Sequence, residues 1–183
     1  MRNLMIAAAA SALMLGGCAT MDAGGSAGAS ASGSAAMPAD MTPNSGSAYA
    51  QIAASSDMYE IQSSQLALSQ AQNPALRSFA QMMVTDHTNT TQQLAAAATA
   101  SGIGPPPAAM LPLHVQMVAR LQGRTGADFD REYARQQLVA HQQALALHTN
   151  FAARGDTPAL RAVAGAAVPV VTQHLNMVRQ WPR

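Results

Sequence analysis

Asn73-Pro74-Ala75-Leu76-Arg77-Ser78-Phe79-Ala80 and Thr157-Pro158-Ala159-Leu160-Arg161-Ala162-Val163-Ala164 decide the fold. The two stretches share Pro-Ala-Leu-Arg and an Ala four residues after the Leu. In each, a residue suited to cap a helix precedes a Pro at the first helical position, where the missing N–H costs nothing. Each therefore reads as a tight turn between two helices, and the pair as an internally duplicated helical hairpin. Upstream of the first turn, Ser47 to Gln72 contains no Pro or Gly, and Ile52, Tyr59 and Leu66 recur at seven-residue spacing on one helical face. Downstream, Leu76, Phe79, Ala80, Met83, Thr90, Leu94 and Ala97 form one stripe of a second helix, from Pro74 to about Ala100, that Gly102, Gly104 and Pro105-Pro106-Pro107 terminate.

A linking segment follows, with a short helix expected at Leu113 to Leu121 before Gly123 and Gly126. Asp128 and Asp130 suit the positive end of a third long helix reaching about Ala153, and a fourth continues from Pro158 to Trp181 with Pro169 predicting a kink. Short turns at Asn73 and Gly155 make antiparallel neighbours. The expected fold is all-α, an antiparallel four-helix bundle over residues 47–183, ferritin-like in having one long linker between helices two and three.

The chain has 183 residues, 41 of them Ala, with ten Arg, no Lys, two Glu and one Cys. One thiol excludes a disulfide framework and any Cys-rich zinc or iron–sulfur module. Met1 to Gly17 carries Arg2 and then an apolar run from Leu4 to Leu15, too short to span a bilayer as a helix but shaped like a secretory signal. Leu15-Gly16-Gly17-Cys18 resembles a bacterial lipobox, which implies cleavage after residue 17 and a lipid on Cys18. Residues 18–46, rich in Ala, Gly and Ser, bury too little apolar area to offset their ordering entropy and read as a disordered tether. Ala19 follows the Cys without the Asp that resembles an inner-membrane retention signal, so the expected location is the periplasmic face of the outer membrane. Loss of Arg2 leaves nine Arg against nine acidic residues, and a neutral, Lys-free chain is a poor nucleic-acid binder.

Four of the five His fall on inward faces by pattern. His87 lies within the stripe of helix two, His141 and His148 lie in the dry half of helix three, and His174 stands among Val163, Val170, Val171 and Trp181 on helix four. Glu60 is 13 residues before Asn73 and His87 is 14 after it, so both stand roughly 20 Å from their turn at about 1.5 Å per residue. His141 is 14 residues before Gly155, and His174 is 19 after it. Glu60, Asp86, His87, His141 and His174 thus converge from four helices, and such a mixture is ligand chemistry for one ion of zinc, iron or copper. The same residues equally suit a buried polar network that specifies helix pairing. Met58, Met82, Met83, Met110, Met117 and Met177 lack clustered spacing and read as core filling. Asp128, Asp130 and Glu132 read as first-turn stabilisers, and His114, on the linker, as solvent-exposed. No nucleophile motif such as G-x-S-x-G occurs.

Glu60-Ile61, Leu66-Ala67, Val84-Thr85-Asp86-His87-Thr88, Phe129-Asp130-Arg131-Glu132-Tyr133, His141 and His174-Leu175 together resemble the bacterial domain-of-unknown-function family numbered 4142, over about Ala48 to Val178. The resemblance implies a ferritin-like bundle in exported, lipid-anchored proteins without an established biochemical role. It marks Glu60, Asp86, His87, Asp130, His141 and His174 as matching positions. Ferritin-type di-iron sites need Glu-x-x-His on two helices. The residues three before His87, His141 and His174 are Val84, Leu138 and Val171, and the pattern occurs nowhere. The expectation is therefore a lipid-anchored binding or envelope-interaction module with a mid-bundle metal site, with a ferritin-like metal-dependent oxidoreductase as the alternative.

Overall fold

Why the two turn sequences stop and restart a helix is visible in their hydrogen bonds. In the computed structural model, which describes residues 42–181, the Asn73 side chain accepts from the Ala75 N–H at 2.9 Å and Pro74 opens the next helix. Arg77 donates to the Ala71 and Gln72 carbonyls, and Arg161, at the matching place in the second copy, donates to the Gly155 carbonyl. The shared Pro-Ala-Leu-Arg is thus one device used twice: Pro starts the helix and Arg satisfies carbonyls the preceding helix leaves open. Thr157 differs from Asn73, since its hydroxyl donates to Asp156 instead of capping a backbone N–H.

Five helices result. They are α1 (Gly46–Gln70), α2 (Pro74–Ala100), α3 (Pro112–Gln122), α4 (Gly126–Arg154) and α5 (Pro158–Val178). The four long ones form the bundle: α1 packs on α2 and α4, and α5 packs on α4 and α2, closing a ring. The long connection between α2 and α4 carries α3, which lies chiefly against α1. α5 runs through Pro169, which sits on its exposed side. None of the described helices is long and apolar enough to cross a membrane. The signal segment and most of the tether expected at residues 1–46 lie outside the described residues.

The core is not continuous along the bundle. One apolar cluster at the α4–α5 turn end joins Tyr49, Ile52, Leu94, Leu147, Phe151 and Leu160. Another at the α1–α2 turn end joins Leu76, Phe79, Met83, Phe129, Tyr133 and Val178. Between them lies a buried polar belt of Asp57, Glu60, His87, Gln137, His141 and His174. Burying so many polar groups in one layer is expensive unless each finds a partner, so the belt is where the fold invests in something other than packing.

His114 requires a correction. It is buried in α3, 3% exposed, with its Nδ1 2.6 Å from the Ser55 hydroxyl and its ring stacked on Tyr59. Ser55 also accepts from the Leu111 N–H at 2.7 Å, and the two bonds together pin α3 to α1. Burial pushes the His114 pKa down to about 4. Asp130 also does more than stabilise its own helix: its carboxylate accepts from the Gln72 and Asn73 N–H groups at 3.0 and 2.9 Å, tying α4 to the α1–α2 turn. Glu132 is buried and bonded to Arg135 and Gln136.

Candidate metal centre

His87 from α2, His141 from α4 and His174 from α5 meet at the polar belt, where one ring nitrogen of each lies within 4.8 Å of the other two. The ring centroids are 5.4 to 6.2 Å apart. Counting from the Gly155 turn leaves His174 higher than His141. Helical side chains lean toward their own N-terminus, however, which is away from that turn on α4 and toward it on α5. The two rings therefore lean into a common level.

Each ring is held from behind. His87 Nδ1 is 2.7 Å from Asp57 Oδ1, His141 Nδ1 is 2.9 Å from the Gln137 carbonyl, and His174 Nε2 is 3.0 Å from Asp86 Oδ2. The remaining nitrogens, His87 Nε2, His141 Nε2 and His174 Nδ1, are buried and have no hydrogen-bond partner. An acceptor behind each ring fixes its tautomer and leaves a lone pair for a metal, which is how metal-binding His residues are ordinarily supported. At metal–nitrogen distances of about 2.0–2.1 Å, tetrahedral geometry needs nitrogens about 3.3–3.4 Å apart. The observed separations, within 4.8 Å, are wider than that spacing.

Electrostatics divides the three rings. For His87, burial works against the charged form, but the Asp57 hydrogen bond and the charges of Asp57, Glu60 and Asp86 outweigh it, so its pKa is raised. Burial, with the His87 charge added, pushes His141 down to about 3 and lowers His174. Of the three rings, His87 is thus the one that holds a second proton most readily.

Glu60 and Asp86 take supporting places. Glu60, 2% exposed, accepts from the Gln137 amide at 2.7 Å and lies 3.8 Å from His141 Nδ1, the nitrogen turned away from the centre. Burial pushes its pKa up to about 7. Asp86 stands behind His174. Of the five residues expected to converge, three His form the cluster and two carboxylates back it or lie beside it. Asp57 and Gln137 were not expected. Asp57 is three residues before Glu60 and Gln137 four before His141, so helical spacing places each on its neighbour's face. His148, inward as expected, joins the Tyr49 hydroxyl at 3.0 Å rather than the cluster.

A cavity of about 420 Å³ adjoins the centre, lined by His87, His174, Asp57 and Asp86 on one side and by Tyr49 and His148 on another. His141 does not line it. The arrangement offers three nitrogen ligands, one fewer than the four that close a purely structural site.

The fold is shared with solved structures of known metal content. CopM in the Cu(II)-bound form superposes with a TM-score of 0.64 at 20% identity, over 75% of this chain and 95% of that one. CopM in the Cu(I)-bound form gives 0.63 at 19%, covering 74% and 94%, and in the Ag-bound form 0.62 at 20%, covering 75% and 94%. Among curated proteins no sequence matches. Residues 30–181 match the family described as Domain of unknown function (DUF4142), and with the bundle and its marked positions in place, the chain belongs to that family.

Proposed function

We propose that this protein binds one transition-metal ion at His87, His141 and His174, and that it does so as a lipoprotein held by Cys18 at the periplasmic face of the outer membrane. The observation that carries the metal reading is the set of three buried ring nitrogens without partners, each backed by an acceptor on its other nitrogen. Leaving three such groups unsatisfied costs about 1–3 kcal/mol each, and one ion satisfies all three. Imidazole ligands suit copper, zinc and iron, and the Irving–Williams order favours copper among them. Structures of the same fold carrying copper or silver support that choice. The role is binding rather than iron oxidation, since Glu-x-x-His is absent and the carboxylates back the rings.

Elemental analysis after reconstitution with copper, zinc and iron separately tests the reading. One ion per chain is expected, lost in His87→Ala and in His141→Ala. No retained metal under any condition would overturn it, and two irons with oxygen consumption would turn it into an oxidoreductase. The anchor is tested by mass spectrometry of the mature N-terminus and by Cys18→Ser, which moves the protein from the membrane to the soluble periplasmic fraction. An unmodified Cys18 in membrane-free extract refutes it.

A further inference from the structure

We propose that the cavity between α2 and α5 is a binding site for a small primary ammonium ion with a hydrocarbon body, held by Asp86. Such an occupant meets the carboxylates behind the histidine rings and does not touch an ion between them, so the inference stands apart from the metal reading. The cavity, about 420 Å³, lies within the range of small-molecule sites, roughly 300–1,000 Å³. Most of its lining comes from α2 and α5, with Tyr49 and Asp57 of α1 and His148 of α4 completing it.

The charge of the lining selects a cation. It holds two carboxylates, Asp57 and Asp86, and no Arg, and the chain has no Lys. The two carboxylates differ in what answers them. Asp57 is bonded to His87, the ring that holds a second proton most readily, and its other oxygen accepts from Thr91. Asp86 Oδ2 is bonded to His174, whose pKa burial lowers, so that ring favours its neutral form. Asp86 Oδ1 accepts no hydrogen bond from the described residues, and the side chain is 34% exposed. Nor does His148 supply a charge, since burial pushes its pKa down to about 4. Asp86 is thus the less compensated carboxylate, with an oxygen left to accept. The walls then select an organic cation over a metal ion. Leu94, Val163, Val170 and Val171 are apolar, and Tyr49 and His148 add rings set edge to face at 5.8 Å. A hard metal ion keeps its waters against such walls, whereas a hydrocarbon body gains by leaving water. An ammonium group donates up to three hydrogen bonds, and one to a carboxylate is of the stronger, charge-assisted kind.

Isothermal titration calorimetry on the full chain at pH 7 compares three ligands of similar shape: 2-phenylethylammonium, neutral 2-phenylethanol and anionic 3-phenylpropanoate. Metal is first removed with a chelator, because a divalent ion at the centre draws on the same two carboxylates. One ammonium per chain is expected, with half-saturation at least tenfold below that of the alcohol and no saturation by the anion in the same range. Asp86→Asn keeps an acceptor for His174 and removes the charge, and is expected to bring the ammonium to within threefold of the alcohol. Ala166→Trp and Val170→Trp place bulk at exposed positions on the cavity wall and are each expected to weaken the ammonium at least tenfold. Circular dichroism checks that the variants are folded, and the charge change and the two bulky changes act at separate positions. An ammonium that does not bind, that binds no tighter than the alcohol, or whose binding is unchanged in Asp86→Asn or in both Trp variants overturns the inference. Each of these results leaves the metal reading standing, since metal uptake is measured separately.

Discussion

Replacing Asp57 by Asn keeps the shape of the support behind His87 and removes its charge. Asp57 Oδ1 lies 2.7 Å from His87 Nδ1, with the side chains 10% and 9% exposed, and Oδ2 accepts from the Thr91 hydroxyl at 3.3 Å. An Asn oxygen can still accept from the ring, so His87 keeps its orientation. Two effects on metal affinity then oppose one another. The carboxylate raises the proton affinity of His87, so its loss weakens the competing proton. It also attracts the metal, and its field acts on two charges in a divalent ion against one in a proton. The attraction therefore wins, and affinity falls.

Loss of such a support ordinarily weakens binding by about 10- to 100-fold, or about 1.4–2.7 kcal/mol. The metal-free protein loses part of a charge-assisted hydrogen bond, about 1–2 kcal/mol. Competition against a chelator of known affinity at pH 8, where protons compete least, measures the first effect, and urea unfolding of the metal-free protein measures the second. Thr91→Val removes only the other bond to Asp57 and is expected to change affinity less than threefold. Stoichiometric binding by Asp57→Asn with affinity within twofold of the native protein would refute the reasoning, because His87 would then not be a ligand held by that carboxylate.

Three further expectations concern the scaffold. The His114 pKa is about 4 when folded, below the ordinary value of 6.5, so the unfolded chain binds the extra proton and stability falls as pH drops from above 6.5 toward 4. Between pH 7.5 and 5 this residue alone accounts for about 2 kcal/mol of that loss; urea midpoints at the two pH values should draw closer in His114→Gln, and an undiminished gap counts against the assignment. Gly155→Ala places a Cβ 2.5–2.7 Å from ring atoms of Phe151, which is stacked on Tyr49 at 3.9 Å, so overpacking of about 1–3 kcal/mol and a lower Tm are expected by calorimetry. An unchanged Tm would mean that the ring gives way freely. Asp130→Ala frees two N–H groups at the α1–α2 turn and is expected to cost about 1 kcal/mol in urea unfolding while leaving metal stoichiometry unchanged; loss of metal instead would place Asp130 in the centre.

The helices were legible in the sequence because their ends are written locally: Asn73-Pro74 and Thr157-Pro158 start helices, and the Pro105 to Pro107 run forbids one. The inward His were legible because 3.6-residue spacing fixes a side chain's face whatever packs against it. His114 was not, since its burial depends on Ser55 and Tyr59 of α1, about 55 residues away along the chain. Asp57 escaped for a related reason. It shares a face with Ala53 and Glu60, a side of small residues that reads as a close helix contact, and its purpose exists only once α2 brings His87 opposite. Gln137 supports the site partly through its backbone carbonyl, which any residue would supply, so its role in holding His141 leaves no side-chain signature.

Scarce Glu argued in the sequence against a metal centre of the ferritin type, and the geometry shows why it does not argue against every metal centre. Carboxylates that ligate a pair of irons must face the ions, whereas here Asp57 and Asp86 face the outer nitrogens of the rings. In that position each stabilises positive charge at the centre without occupying a coordination place. Several Arg side chains are engaged elsewhere: Arg77 and Arg161 serve the turns, while Arg131 and Arg135 pair with acids of their own helix. Among the described groups at the centre, His87 is the ring whose charged form these carboxylates favour. Two carboxylates face the rings, and a divalent ion at the centre balances both. Burial raises the Glu60 pKa to about 7, so this carboxyl adds less than a full negative charge at neutral pH. The balance favours a divalent ion over a monovalent one, so copper affinity is expected to fall more steeply on reduction to Cu(I) in the native protein than in Asp57→Asn. Paired chelator competitions under oxidising and reducing conditions measure that difference, and equal falls in the two proteins would show that the charge behind the rings does not select the ion.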